Sequence, residues 1–173
     1  MAMYNISMEL ATEALHLRGN QKIVVWKAVH PSKEGGEIGK VMKSGNRLLV
    51  ENPPVHQGRS NNHQTFRIVA SLEGGGEASV GVKYFNDDGD VEARLNWIKE
   101  NATALKKAGV KLPKRMHQDG SALIYHWVEG RRANDDEKLD ALIALEKSGL
   151  ADHPFVDKGH WRLNKDGPHL IIG

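Results

Sequence analysis

Apolar positions along the chain recur with two different periods, and the changes of period mark out its elements. Near the start, "SMELATEALHLRGN" spaces its apolar residues as one face of a helix, with Ser7 as N-cap and Gly19 as the stop. "KIVVWKAVH" then reads as a strand. "IGKVMKSGNRLLVENPP" reads as a hairpin about Ser44-Gly45-Asn46, ended by Pro53-Pro54. After the polar stretch "VHQGRSNNHQ" come "TFRIVAS", the turn "LEGGGEA" and "SVGVKYF", a second strand pair.

Beyond "NDDGD" the period lengthens. Val91, Leu95, Ile98, Ala102 and Leu105 form one apolar helical stripe. Asp87, Asp88 and Asp90 favour the positive end of that helix, and Gly109 ends it. "KRMHQ" and "SALIYHWVE" flank Asp119-Gly120, a strong signal for a two-residue hairpin. A further helix begins at Asn134, with Glu137 completing a capping box and Leu139, Leu142, Ile143 and Leu145 as its apolar residues. "HWRLNKDGPHLII" forms a last hairpin, with Asp166-Gly167 as its turn. The expected class is α+β, a mostly antiparallel sheet with packed helices.

Composition narrows the chemistry. With 173 residues, 39% of them hydrophobic and 27% charged, the chain has the make-up of one ordinary globular domain or a compact two-lobed one. No apolar run approaches the ~18 residues of a membrane span. The first residues are amphipathic and carry acids, unlike a secretory or transit peptide. Cysteine is absent, which excludes disulfides, thiolate metal sites and thiol nucleophiles, and suits a cytoplasmic protein or one exported unfolded. A net charge of +2 demands no polyanionic partner. The sharpest local bias is "KKAGVKLPKRMHQ", where Lys106, Lys107, Lys111, Lys114 and Arg115 have no acid among them. A solvated face is the first reading of that run, and contact with phosphate or nucleic acid the second.

Within "SVGVKYF", Val80, Val82, Tyr84 and Phe85 favour a half-buried strand, and Lys83 sits among them. A buried ammonium is costly unless something anionic meets it. Read in order, "HQGRSNNHQTFRI", "VGVKYF", "DVEARLNWIKENATALKKAGVKLPKRM" and "ALIYHWVEG" resemble parts of the N-terminal lobe of the protein-kinase-like fold, especially its aminoglycoside-phosphotransferase branch. They correspond to the phosphate-covering loop, the strand with the ATP-binding lysine, the following helix, and the strand and hinge. The resemblance spans residues 58–130 and rests on order and spacing.

It implies ATP with Mg²⁺ as cofactors and phosphoryl transfer to a protein or small-molecule hydroxyl. Gly58 and Ser60 would let backbone N–H groups approach phosphates, and Lys83 would meet the phosphate charge. Glu92 would orient that lysine, with Asp90 and Glu100 as alternatives. Backbone groups of Trp127, Val128 and Glu129 would hold the adenine edge. The domain so implied covers residues 40–173, with 1–39 as an appended helix and strand. In the later part, His153-Pro154-Phe155 falls at the catalytic triplet, His160 where Asn is expected, and isoleucine where the metal-binding Asp is expected. Asp157 and Asp152 are the candidate bases, and the metal ligands are unknown. The alternative implied is a catalytically inactive kinase-like module, an effector or inhibitor whose partner is a host protein.

Other constellations are weaker. Nine histidines invite a metal site, but His153, His160 and His169 are widely spaced and no H-E-x-x-H occurs. "NDDGD" lacks the glutamate a calcium loop needs, with Leu95 in its place. No G-x-S-x-G marks a hydrolase. Single-stranded nucleic-acid binding would use the basic run together with Trp97 and Trp127.

Overall fold

A computed structural model describes residues 3–31, 38–53, 56–57, 64–150, 154–157 and 160–171. Its elements in chain order are β1 (Met3–Ser7), α1 (Met8–Leu15), β2 (Ile23–Val29), β3 (Ile38–Ser44), β4 (Arg47–Glu51), β5 (His56–Gln57), β6 (Gln64–Leu72) and β7 (Glu77–Tyr84). Then follow α2 (Asp88–Lys107), β8 (His117–Asp119), β9 (Ala122–His126), β10 (Arg131–Arg132), α3 (Asp135–Lys147), α4 (Pro154–Asp157), β11 (His160–Asn164) and β12 (Gly167–Ile171). The class is α+β, with every strand pair antiparallel. The chain forms two compact units, Met1–Val91 with Lys114–Trp127 and Glu92–Pro113 with Val128–Gly173.

The first unit is built on a sheet in the order β1-β4-β3-β2-β6-β7-β9-β8, with β5 pairing the start of β6. The strands from residues 1–39 are members of this sheet, since β1 pairs β4 and β2 pairs β6. Period-two alternation sends Phe66, Ile68, Val80, Val82, Ala122 and Ile124 to one face, where they pack with Ala11, Ala14 and Leu15 of α1. Each Val, Leu, Ile or Phe fully buried there contributes about 1.5–3 kcal/mol before ordering entropy is subtracted. Helix α1 starts on Ser7, whose Oγ accepts the Leu10 N–H at 3.2 Å. It ends at Leu15, short of the expected Gly19. His16 takes the left-handed conformation (φ 53°, ψ 50°) and closes the helix, its N–H donating to Glu13 O. A non-glycine stop of this kind carries little sequence signal.

The hairpins follow their turn residues. Ser44 pairs Arg47 about Gly45-Asn46, with Gly45 at φ 57°. The β8–β9 turn lies one residue later than the sequence suggests, because Asp119 itself pairs Ala122 across Gly120-Ser121. Asp119 is therefore free to act as a tie. Its Oδ2 accepts the Ser7 N–H at 2.8 Å and an Arg47 N–H at 2.9 Å, joining the start of α1 to two hairpins. Arg47 also donates to Asn5 Oδ1 at 2.6 Å. Tyr84 packs on Tyr4 and Phe66 beside this tie, and burial, then the charge of Asp119, holds its phenol well above the usual range.

Helix α2 carries Asp88 and Asp90 in its first turn. It closes with Gly109 N–H to Lys106 O and Val110 N–H to Leu105 O, both 3.0 Å, a Schellman motif with Leu105 and Val110 buried. The buried residues on it are Val91, Arg94, Trp97, Ile98 and Leu105, whereas Ala102 is exposed and Leu95 half-buried. The apolar stripe is thus rotated from the one expected, because long side chains at 94 and 97 reach inward. In the second unit, α3 begins with the expected capping box, Asn134 with Glu137, and Glu137 also binds Arg131 through two bonds of 2.6 Å. Ala141 and Leu145 are its buried residues, while Leu139 and Ile143, expected in the core, are 55% and 40% exposed. Strands β10-β11-β12 form a small sheet, with Trp161, Leu170 and Ile171 buried. The β11–β12 turn is Lys165-Asp166, since Asn164 pairs Gly167.

Two outcomes are expected. Asp119→Ala strips the Ser7 N–H of its acceptor and should lower unfolding free energy in urea by about 1–3 kcal/mol. Arg47→Met should cost less, because that ion pair is more than a third exposed on the Arg side. An Asp119→Ala protein as stable as wild type would show the tie to be incidental. The second concerns pH. The Arg131 guanidinium, then the Asn134 N–H, lowers Glu137 from 4.5 to about 2. A depressed carboxyl pKa gives stability that is present above pH 4.5 and lost as pH falls through about 2. Denaturation midpoints of Glu137→Gln should lie below wild type at neutral pH and converge with it towards pH 2.

Candidate functional site

The sheet face opposite α1 holds the candidate site. Register sets Lys83 between Thr65 on β6 and Leu123 on β9, and Gly81 between Arg67 and Tyr125. Alternation then puts Thr65, Arg67, Val69, Ser79, Gly81, Lys83, Leu123 and Tyr125 on one face. Lys83 is 3% exposed. Its Nζ lies 5.3 Å from the Phe85 ring centroid, and that cation–π contact is only part of its environment. Lys83 is the penultimate residue of β7, with a paired strand on either side, and its side chain is buried and not snorkelled to solvent.

Aromatic side chains crowd the same face. A Cβ added at Gly81 would clash with the hydroxyl end of the Tyr125 ring, so glycine is the residue that lets this phenol lie across β7. The ring covers the strand one alternation before Lys83. Trp127, just beyond β9, is buried, and the Arg67 guanidinium sits 5.0 Å from its ring centroid. The Trp127 N–H donates to Ser79 O at 3.1 Å. In the second unit, Val128 is buried, Glu129 is exposed, and Glu129 O accepts the Asn164 Nδ2–H at 2.8 Å. Two of the backbone groups expected to hold an adenine edge are therefore hydrogen-bonded within the fold. Gly130 follows with φ 140°, its Cα too close to Leu163 O to carry a side chain.

On α2 the expected acid is exposed: Glu92 and Glu100 face solvent and Asp90 is half-buried. The buried charge on that helix is Arg94, whose guanidinium lies 4.5 Å from the Phe155 ring centroid, with Trp97 edge-on to the same ring at 6.2 Å. Arg94 and Arg67 were not singled out from the sequence. The signals existed, because Arg94 lies one turn after Val91 on the inward face and Arg67 alternates with Phe66 and Ile68 on the outward one. Gly58, Ser60, Asp152 and His153 lie outside the described residues. Asp157 closes α4, and its side chain is likewise outside the description. Among the described residues no group of three His, Asp or Glu side chains is placed to hold a metal ion.

Compared with known proteins, the chain matches no family model, no curated protein and no solved structure. No helix among the described residues is long and apolar enough to cross a membrane.

The Gly81–Tyr125 packing is directly testable. Gly81→Ala forces the phenol off the strand and should destabilise the fold by about 1–3 kcal/mol, the usual cost of overpacking. Adding Tyr125→Leu should recover most of that loss. Equal stability of Gly81→Ala and wild type in urea would mean the ring moves freely.

Proposed function

We propose that the chain is an atypical minimal kinase, in which Lys83 grips the phosphates of ATP and the γ-phosphoryl group passes to a protein or small-molecule hydroxyl. The observation that carries this reading is the burial of Lys83 near the end of β7, a strand paired on both sides. An ammonium taken out of water in such a place is suited to a phosphate-rich ligand. The succession of elements supports it too. Strand β5 and the segment 58–63 precede β6, β7 carries Lys83, α2 follows, and β8–β9 lead into Trp127, Val128 and Glu129.

Gly58 and Ser60 are the proposed phosphate-covering residues, and Glu92 the residue proposed to orient Lys83. Asp157 or Asp152 would act as base. When bound, Mg²⁺ would neutralise charge on the phosphates, and carboxylates would have to hold it. The described residues supply no ligand set for it, so the proposal assigns none.

A second reading is favoured by Tyr125. Its ring lies over Gly81, beside Lys83, on the face where a planar base needs room. A non-catalytic interaction module with a kinase-like lobe would keep that face filled permanently.

Calorimetry with ATP·Mg²⁺ separates the readings. Wild type should bind saturably, and Lys83→Met, which preserves volume, should bind at least about tenfold more weakly (about 1.4 kcal/mol). Transfer of the terminal phosphoryl group to a mixture of acceptors should fall in parallel. Folded wild type that takes up no ATP would sink the kinase reading. If Tyr125→Ala binds ATP and wild type does not, the face is closed in the native chain and the non-catalytic reading stands.

A further inference from the structure

Away from Lys83, three described non-glycine residues of the first unit have positive φ: Asn52 at 45°, and the pair His16 at 53° and Arg115 at 55°. Each costs about 1 kcal/mol or more, and the pair is joined, Arg115 Nε donating to His16 Nδ1 at 2.9 Å. That bond requires Nδ1 to be unprotonated, which leaves the His16 proton on Nε2. Lys114 is tied to β9, its carbonyl accepting the His126 N–H at 2.9 Å. The His126 ring in turn contacts Ala14 O at 2.9 Å and lies 6.1 Å from the His16 ring. Arg18 follows His16 on the same connection. His16, Arg18, Lys114 and Arg115 are all exposed.

The charge balance here is one-sided. Arg115 lowers the His16 pKa most, burial next, then His126, Lys114 and Arg18. Glu13, the carboxylate on the adjoining turn of α1, faces His117 at 3.5 Å. The C-terminal end of α1 offers only about half a negative charge, against three permanent cations. An anion from solution would restore the balance.

We propose that His16, Lys114 and Arg115, with Arg18 alongside, form a binding site for a single phosphate group. The Arg115 fork supplies paired donors through its Nη groups, Lys114 a point charge, and His16 Nε2–H a third direction of approach. A phosphate carries close to two negative charges at neutral pH against one on a carboxylate, which suits a cluster of cations. The rest of the basic run, Lys106, Lys107 and Lys111, belongs to the second unit. Neutral His16 already presents Nε2–H to the anion while its Nδ1 accepts from Arg115, so phosphate binding needs no protonation of the ring. This site is independent of the Lys83 reading.

The test is an NMR titration of the histidine rings with inorganic phosphate, against chloride at matched ionic strength. The His16 ring signals should move saturably with phosphate, and His126 should follow. Arg115→Gly removes the guanidinium and gives the left-handed position the residue that favours it, so the fold is kept. Its affinity for phosphate should drop at least about tenfold. A short oligothymidine forms a second arm, and competition between it and phosphate at His16 would identify a phosphodiester as a source of the group. The proposal is overturned if phosphate does no more to His16 than chloride, or if Arg115→Gly binds phosphate as wild type does. Steeply salt-dependent oligothymidine binding without any phosphate effect on His16 would also overturn it, in favour of a polyanion-tracking surface.

Discussion

A strand paired on both sides must bury both its faces or leave one to solvent, and β7 is paired with β6 and β9 along most of its length. One face meets α1 through Val80 and Val82, an ordinary apolar core. The other carries Ser79, Gly81 and Lys83, all three buried. That second face cannot be a simple hydrophobic layer, since an ammonium there costs several kcal/mol unless charge or hydrogen bonds compensate it. Much around it answers to this constraint. Gly81 makes room for Tyr125, Trp127 receives Arg67, and Phe85 offers its ring to Lys83.

The same sheet explains why the first residues of the chain belong to the first unit. Strand β4 needs a partner beyond β3, and β1 supplies it. The geometry is then locked by one carboxylate, Asp119, which gathers the Ser7 N–H and the Arg47 guanidinium. Asp119 lies in a hairpin far along the chain, so the start of α1 is tied to β8–β9 by a long-range contact. Ala11, Ala14 and Leu15 are buried on the same helix.

Much of the local structure was legible in residue patterns. Ser7, Asn134 with Glu137, Gly45, Gly109 and the glycines of "LEGGGEA" mark caps and turns because their conformational preferences act within a few residues. Other features were not legible for equally physical reasons. His16 and Arg115 take positive φ, which side-chain type alone does not announce; His16 does so as the cap of α1, and the two side chains are hydrogen-bonded. Strand β10 has two residues, too few for a period. Leu139 and Ile143 look like core by spacing, yet helix spacing says nothing about whether a neighbour exists to cover that face.

For the site, the sequence by itself determined that a lysine would interrupt an apolar strand, and the pattern of Val80, Val82 and Phe85 placed it on a β-strand, since alternation is a local property. Only the tertiary structure decided that the strand would be central, which is what turns Lys83 from a snorkelling side chain into a buried charge. It likewise decided that Arg94 is the buried charge on α2 while Glu92 is exposed, and that Tyr125 fills the space above Gly81. Which face a helix turns inward, and which ring fits against which glycine, depend on partners tens of residues away. Those partners are set by packing of the whole unit, and short-range preference carries no record of them.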